Sequence, residues 1–338
     1  MLAAITNGAP MPKVTELTVT ENAPTAVFAE LEFDTIGVYE YTITEVNSHV
    51  PGVTYDTTPH TVTVTVTADP DTNALSAVVK YDGKDALVIT NTFTATHAHF
   101  EATKAFEDWG KADSFTFVLE AVTDGAPMPK VTELNVTENA PTAVFAELEF
   151  DTVGVYEYTI TEVNSHVPGV TYDTTPHTVT VTVTADPDTN ALSAAVDYDG
   201  ADALVITNTF TATHAHFEAT KAFSDWGKAD SFTFVLAAIT NGAPMPKVTE
   251  LTVTENAPTA VFAELEFDTV GVYEYTITEV NDGVPGVTYD TTPHVVTVTV
   301  TADPDTNALS AVVDYEGSAE LIITNTFTPA KAHFEATK

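Results

Sequence analysis

The sequence contains no cysteine and no arginine, and its apolar runs are only a few residues long. Without cysteine there can be no disulfide and no thiolate metal site. If the chain works outside a cell, something else must do what a disulfide does. Without arginine there is no planar fork to grip phosphate. The 11 lysines face 49 Asp and Glu, for a formal net charge of -38. Such a surface repels a phosphate backbone, which excludes nucleic acid as a partner. The short apolar runs lead us to expect no membrane insertion and no signal peptide. What is present is a hydrophobic content of 44% in 338 residues. That is enough to core two or three domains, so the acidity does not imply disorder.

A repeat organises the chain. HAHFEATKAF begins at His97 and recurs at His214, and AHFEATK closes the chain, so Lys104, Lys221 and Lys338 stand 117 residues apart. GVYEYTITEV keeps the same spacing and places Glu45, Glu162 and Glu279 in register, as ITNTFT places Asn91, Asn208 and Asn325. The expected boundaries are a first repeat over 1–95 that lacks its N-terminal strands, complete repeats over 96–212 and 213–329, and the first strand of a further repeat over 330–338. The stretch missing from the first copy corresponds to Ala105–Phe117 of the second.

Within a repeat the apolar period is two. HTVTVTVTA at His177–Ala185 sets Val on one face and Thr on the other. Ser114–Leu119 aligns Phe115, Phe117 and Leu119, and Val144–Phe150 reads as one alternating strand with Glu147 and Glu149 outward. Turn residues at Asp124, Glu138, Val167 and Asp186 separate the runs. Several short strands in about a hundred residues indicate an all-β, immunoglobulin-like sandwich. The segment TFTATHAHFEAT between Asn91 and Lys104 is β-prone and has no Gly or Ser. A flexible linker would be rich in both, so the expectation is a stiff rod of domains.

Alternation also gives side-chain direction. Phe100, Ala102, Lys104 and Phe106 share the inward face of one strand. Glu162 follows Tyr156, Tyr158 and Ile160 on another, and Asn208 lies among Leu204, Ile206 and Phe210. A Lys, a Glu and an Asn therefore stand at core parity in three strands of one repeat, and Lys221, Glu279 and Asn325 repeat the set. Burial without a partner costs several kcal/mol and drives both ionisable groups towards neutrality. A neutral amine is a nucleophile, and a protonated Glu can hydrogen-bond the Asn carboxamide oxygen, polarise its carbon and carry a proton to departing ammonia. If the three meet, the product is a Lys–Asn amide. On parity alone, a buried Lys–Glu ion pair capped by Asn remains an equal reading.

The run ATKAFEDWGKADSFTFVL, then NAPTAVFAELEF, GVYEYTITE, GVTYD, VTVTVTADPDTNALSA and ITNTF, resembles the pilin isopeptide-linkage domains. These are Cna B-type-like sandwiches of streptococcal pilin shafts and Gram-positive surface adhesins. The resemblance covers copies two and three and all but the start of copy one. It implies that the Lys of the first-strand TK joins the Asn of the last-strand NTF, promoted by the Glu of Y-x-I-x-E. Carried over, the crosslinks are Lys104–Asn208 and Lys221–Asn325, with Glu162 and Glu279 as promoters and Glu45 as their counterpart in copy one. There is no LPxTG-like sorting signal and no YPK motif, which favours the stalk of a long repetitive adhesin over a major pilin. The implied setting is an extracellular, cell-wall-attached fibre whose partners are neighbouring repeats of the same or another chain. A host or bacterial ligand would be met by domains outside this sequence.

Asn91 has no upstream Lys, and Lys338 has no following Glu or Asn. The plain expectation is a fragment of a longer array. The sharper one is a head-to-tail covalent polymer or ring through Lys338 and Asn91. Other features carry less. His97 and His99 alternate on one face, but Lys331 replaces the first in the third copy, so a solvated face is expected rather than a metal site. Asp69–Asn73 opens like a calcium loop, yet Ala74 and Lys80 stand where Gly and Glu are needed, and a hairpin turn fits better. Trp109 and Trp226 read as packed loop residues. No catalytic triad or phosphate loop is present, so neither a turnover enzyme nor a cofactor is expected. A ligand-binding module would concentrate its differences in one loop. Here they are scattered, as in Lys80 against Asp197 and Ser48-His49 against Asp282-Gly283. A glycosidase would need paired carboxylates, and each inward Glu stands alone.

Overall fold

The computed structural model describes residues 1–338, and every regular element longer than one short turn is a β-strand. The second unit shows the design. Its larger sheet runs Glu133–Val136, Phe115–Ala121, Gly154–Glu162, His177–Ala185, Leu192–Asp197, antiparallel throughout. The facing sheet has Glu101–Ala105 at its centre, antiparallel to Thr142–Val144 and parallel to Leu204–Thr207. Alternation places the Val side of His177–Ala185 and the Phe side of Phe115–Ala121 inward, where they join a core of 21 buried residues. Phe100 from one sheet meets Tyr158 from the other at 4.7 Å between ring centroids. The third unit repeats this arrangement strand for strand, again with 21 core residues.

The first unit keeps the larger sheet as Leu2–Ala4, Gly37–Ile43, His60–Ala68 and Leu75–Tyr81, and a short pair of Val53–Thr54 with Thr92–Phe93. Its core has five buried residues, because the strands that would cover the sheet are not there.

One expectation needs correction. Val144–Phe150 is not one strand. Thr142–Val144 pairs with Glu101–Ala105, while Leu148–Phe150 pairs with Thr96–Ala98. The inward set slips from Ala143 and Phe145 to Leu148 and Phe150, a change of phase that lets the chain move from one partner strand to the other. Residues 330–338 carry the sequence of a first strand and stand here without strand pairing.

The units meet end to end through a joint that occurs twice. The turn after His177–Ala185 ends at Asn190, held at φ 62°, a conformation Asn tolerates better than most residues. Its side-chain Nδ2 donates to Asn47 Oδ1 at 3.0 Å and to the Val53 carbonyl at 3.1 Å, while its own carbonyl accepts from Gly52 N–H at 2.7 Å. Asn307 of the third unit binds Asn164, Val170 and Gly169 of the second in the same way. Asn190 and Asn307 are buried polar residues with donors and acceptors matched. Only Thr211 and Ala212 separate the last strand of one unit from the first of the next.

Candidate functional site

Lys104, Glu162 and Asn208 come from three strands and meet inside the second unit. They are 3%, 2% and 3% exposed. Lys104 Nζ lies 2.7 Å from Glu162 Oε1, and Asn208 Nδ2 donates to the same oxygen at 3.0 Å. The amine stands over the rings of Phe115 and Phe117, 4.6 and 6.0 Å from their centroids, and has no further hydrogen-bond partner. In the third unit Lys221 Nζ is 2.5 Å from Glu279 Oε1, and Asn325 Nδ2 donates to that oxygen at 2.9 Å. The local reason is the parallel pairing of the Lys strand with the last strand. Ile206 stands opposite Lys104, so Asn208 emerges one inward step beyond it, and the long Lys side chain spans that step.

The Asn carboxamide is fixed at both ends. Its Nδ2 faces the carboxylate, and its Oδ1 accepts the backbone N–H of Asp173 at 3.1 Å. Asp290 does the same for Asn325, also at 3.1 Å. A donor aimed at the carbonyl oxygen draws electron density from Cγ and would stabilise an oxyanion there. From the sequence, the Glu proton is expected on this oxygen; the Glu meets Nδ2 instead and a backbone N–H takes the oxygen, which a sequence does not show because a main-chain N–H leaves no mark on residue type.

Burial acts in opposite senses on the two charges. Removal from water holds the Lys104 amine below its ordinary value, against the opposing pull of Glu162. The same loss of water pushes the Glu162 carboxyl up, against Lys104 and the Asn208 amide. Lys221 and Glu279 shift in the same directions for the same first cause. Both trends favour moving the shared proton from amine to carboxyl, leaving a nucleophile beside an acid.

In the first unit the pair exists without its amine. Asn91 Nδ2 donates to Glu45 Oε1 at 2.7 Å, and Asp56 N–H donates to Asn91 Oδ1 at 3.2 Å. Glu45 Oε2 is buried with no partner. Asn91 itself is exposed, as is Lys338 at the far end of the molecule. The remaining sequence candidates sit elsewhere. His97 faces Glu149 and His99 faces Glu101 on an exposed surface. Trp109 packs edge-on against Phe106 and Phe115, and Trp226 against Phe223 and Phe232. The Asp69–Asn73 turn closes on itself, with Asp69 Oδ1 accepting from Asp71 N–H, Thr72 N–H and the Thr72 hydroxyl. No helix is long and apolar enough to cross a membrane.

Comparison with known families finds FctA, described as a Spy0128-like isopeptide containing domain, matching residues 3–94, 100–211 and 217–328. No curated protein sequence matches the chain. Among solved structures, the major pilin from Streptococcus pyogenes is similar at 19% identity, over 69% of this chain and 98% of the pilin, with a TM-score of 0.34. Two B repeat units of the collagen binding protein of Staphylococcus aureus align at 19% identity, over 89% of this chain and 62% of theirs, with a TM-score of 0.24. The SpaE basal pilin from Lactobacillus rhamnosus GG aligns at 14% identity, over 68% and 98% of the two chains, with a TM-score of 0.28.

Proposed function

Because this chain belongs to the Spy0128-like isopeptide containing domain family, in three tandem copies, we propose that its two complete units crosslink themselves, Lys104 to Asn208 and Lys221 to Asn325, and that the array serves as a tension-bearing stalk. The observation that carries this is the buried contact of Lys, Glu and Asn, built twice from the same strands. Nζ of the neutral lysine attacks Cγ of the asparagine. The developing negative charge on Oδ1 falls to the Asp173 N–H in the second unit and the Asp290 N–H in the third. The protonated Glu gives its proton to the departing amide nitrogen and takes one from the attacking amine. A C–N bond forms, a C–N bond breaks, and one ammonia leaves. Each site reacts once, so the chain is its own substrate and no turnover follows.

Such a bond ties the strand Glu101–Ala105 to the strand Leu204–Thr207 that leads into Asn208, and these are parallel neighbours. A pull on the two chain ends then loads the pair along its length and passes through the amide, without peeling strands from the sheet. In a chain with no cysteine this supplies the covalent closure that disulfides give other secreted proteins. Family membership supports a surface fibre as the setting, held to the cell wall, with neighbouring subunits or repeats as partners.

A second reading has one observation behind it. The first unit holds Glu45 and Asn91 ready without a lysine, and the tail presents Lys338 in the same AHFEATK sequence. Lys338 then bonds Asn91 of its own or another chain. Intact mass under denaturing conditions tests both. A deficit of two ammonia masses is expected from the second and third units. A third loss in the monomer reports a closed ring, and covalent multimers report links between chains. A mass equal to that of the sequence leaves only buried ion pairs and refutes the crosslink.

A further inference from the structure

The backbone N–H that faces the asparagine oxygen belongs to a loop, not to a strand. Val170–Thr171 pairs with Thr209–Phe210, and this ladder ends where Thr171 meets Thr209. Asp173 lies beyond that end, in the unpaired stretch 172–176. Pro176 has no N–H to offer and cannot extend the next strand backwards. No ladder therefore fixes the direction of the Asp173 N–H, which nonetheless points at Asn208 Oδ1.

The Asp173 side chain supplies what the ladder does not. Its Oδ1 accepts the Thr175 N–H at 3.1 Å, closing a tight local turn. Its Oδ2 meets His177 Nε2, also at 3.1 Å. His177 opens the strand His177–Ala185 and stands opposite Ile160, so the carboxylate ties the loop to the sheet that carries Glu162. This clamp is built three times. Asp290 holds the Thr292 N–H at 3.1 Å and His294 at 3.3 Å. Asp56 holds the Thr58 N–H at 3.1 Å and His60 at 3.2 Å. The first unit has it without a lysine in the site, so the clamp needs neither the amine nor the bond.

Other charges reach the histidines from the far side. His60 Nδ1 meets Asp82 at 2.9 Å, and His294 Nδ1 faces Glu316 at 3.7 Å, whereas His177 pairs with Asp173. In the third unit the Asp290 N–H also reaches Glu279 Oε2 at 3.2 Å. The clamped donor thus lies between the acid and the carboxamide.

We infer that Asp173 with His177, and Asp290 with His294, are positioning residues for amide formation, holding the aspartate N–H where the oxyanion develops. This rests on the crosslink reading. As Nζ adds to Cγ, the C–O bond becomes single and its electron pair settles on Oδ1, the atom to which that N–H donates. When ammonia leaves, the carbonyl re-forms and the same donor stays in place. The two side chains neither give nor take a proton in this step, and act only through the backbone they hold.

Loss of a whole oxyanion donor costs about 10²–10³ in rate, so a donor left loose should cost roughly tenfold or more. The test follows the full chain from cell-free synthesis, quenched in denaturant at intervals. Mass spectrometry of the peptides bearing Lys104 and Asn208 then gives the rate of the second unit, with the third unit of the same chain as the clock. His177→Phe keeps a ring but no donor, and Asp173→Ala keeps the backbone N–H but frees it. Each should slow the second unit roughly tenfold or more against the third. His177→Gln, whose amide nitrogen can stand in for Nε2, should recover most of the rate. Asp173→Ala combined with His177→Phe should be no slower than either alone, because both break one device. Hydrogen exchange on Gly154–Glu162 and His177–Ala185 reports whether the unit has folded. If His177→Phe loses that protection, Asp173→Ala decides alone, since its side chain is 31% exposed and its truncation leaves the core intact. Unchanged rates, no recovery with Gln, or additive losses would each overturn the clamp, while two lost ammonia masses in the parent leave the crosslink standing. A parent that loses no ammonia overturns both.

Discussion

Replacing Glu162 with Gln separates the proton carrier from the shape of the site. The variant keeps a polar side chain beside Asn208 but cannot deliver and recover a proton. The second unit should fold without its amide while the third unit keeps its own, so the denatured mass should show one lost ammonia rather than two. The thermal consequence follows from the loop that the bond closes. Lys104 and Asn208 bracket nearly the whole unit, and closing a loop of about 100 residues is worth ~4.7 kcal/mol on the chain-entropy scale. For a domain of that size each kcal/mol moves the midpoint by about 4 °C. The second unit should therefore melt ~20 °C lower than in the parent chain, and lower still because Lys104 loses its counter-charge in a buried site. Lys104→Met removes the bond and the buried amine together, so its shift isolates the loop contribution. Mass spectrometry and calorimetry on the two variants and the parent make the assay. Two lost ammonia masses in Glu162→Gln would refute the role given to Glu162. A lost bond with no fall in melting temperature would refute the argument that the amide stabilises the unit.

Three further outcomes follow from the joints and the first unit. Asp186 and Asp303 are held below the ordinary carboxylate value of 3.8, first by the backbone N–H of Thr189 and Thr306, and Asp268 is held down by Lys111. Depressed values mean that their contribution is complete above the ordinary value and is lost as pH falls through the folded values. Acidification below about pH 4 should thus loosen the joints while the two large cores persist, seen as bending of the particle in small-angle scattering. Gly169→Ala places a Cβ 2.5 Å from the Phe210 ring and 3.1 Å from Leu309 at φ 81°. It should cost about 1–2 kcal/mol in backbone strain alone and free the second unit from the third, raising interdomain mobility in NMR relaxation, with the ammonia deficit unchanged. The first unit, with five core residues against 21, should exchange its amide hydrogens first and melt as a separate, lower transition.

Much of this was legible because strand parity is a matter of geometry. Alternation alone put Lys104 beside Phe100 and Ala102, and Glu162 beyond Tyr158 and Ile160, and all of these are buried. Parity does not say which strands are neighbours. The parallel pairing of Glu101–Ala105 with Leu204–Thr207 joins residues far apart in sequence and leaves no local trace. The slip between Phe145 and Leu148 was missed because the apolar spacing there suits one long strand almost as well as two short ones. Asn190 was read within a hairpin turn, and it does end one. Its second task depends on Asn47, 143 positions away, and a residue that serves its own turn gives no sign of also serving a neighbour.

Each complete unit carries both halves of the joint, the Asn turn on one end and the Asn–Gly socket on the other. Any unit therefore fits before or after any other. Loss or gain of a whole repeat by recombination rejoins the same surfaces, and neither flanking unit needs a compensating mutation. A gene built this way can change the reach of its product in steps of one domain while every joint stays as it was. Near-identical copies favour such exchange, so the number of units is the property of this chain most open to change by recombination.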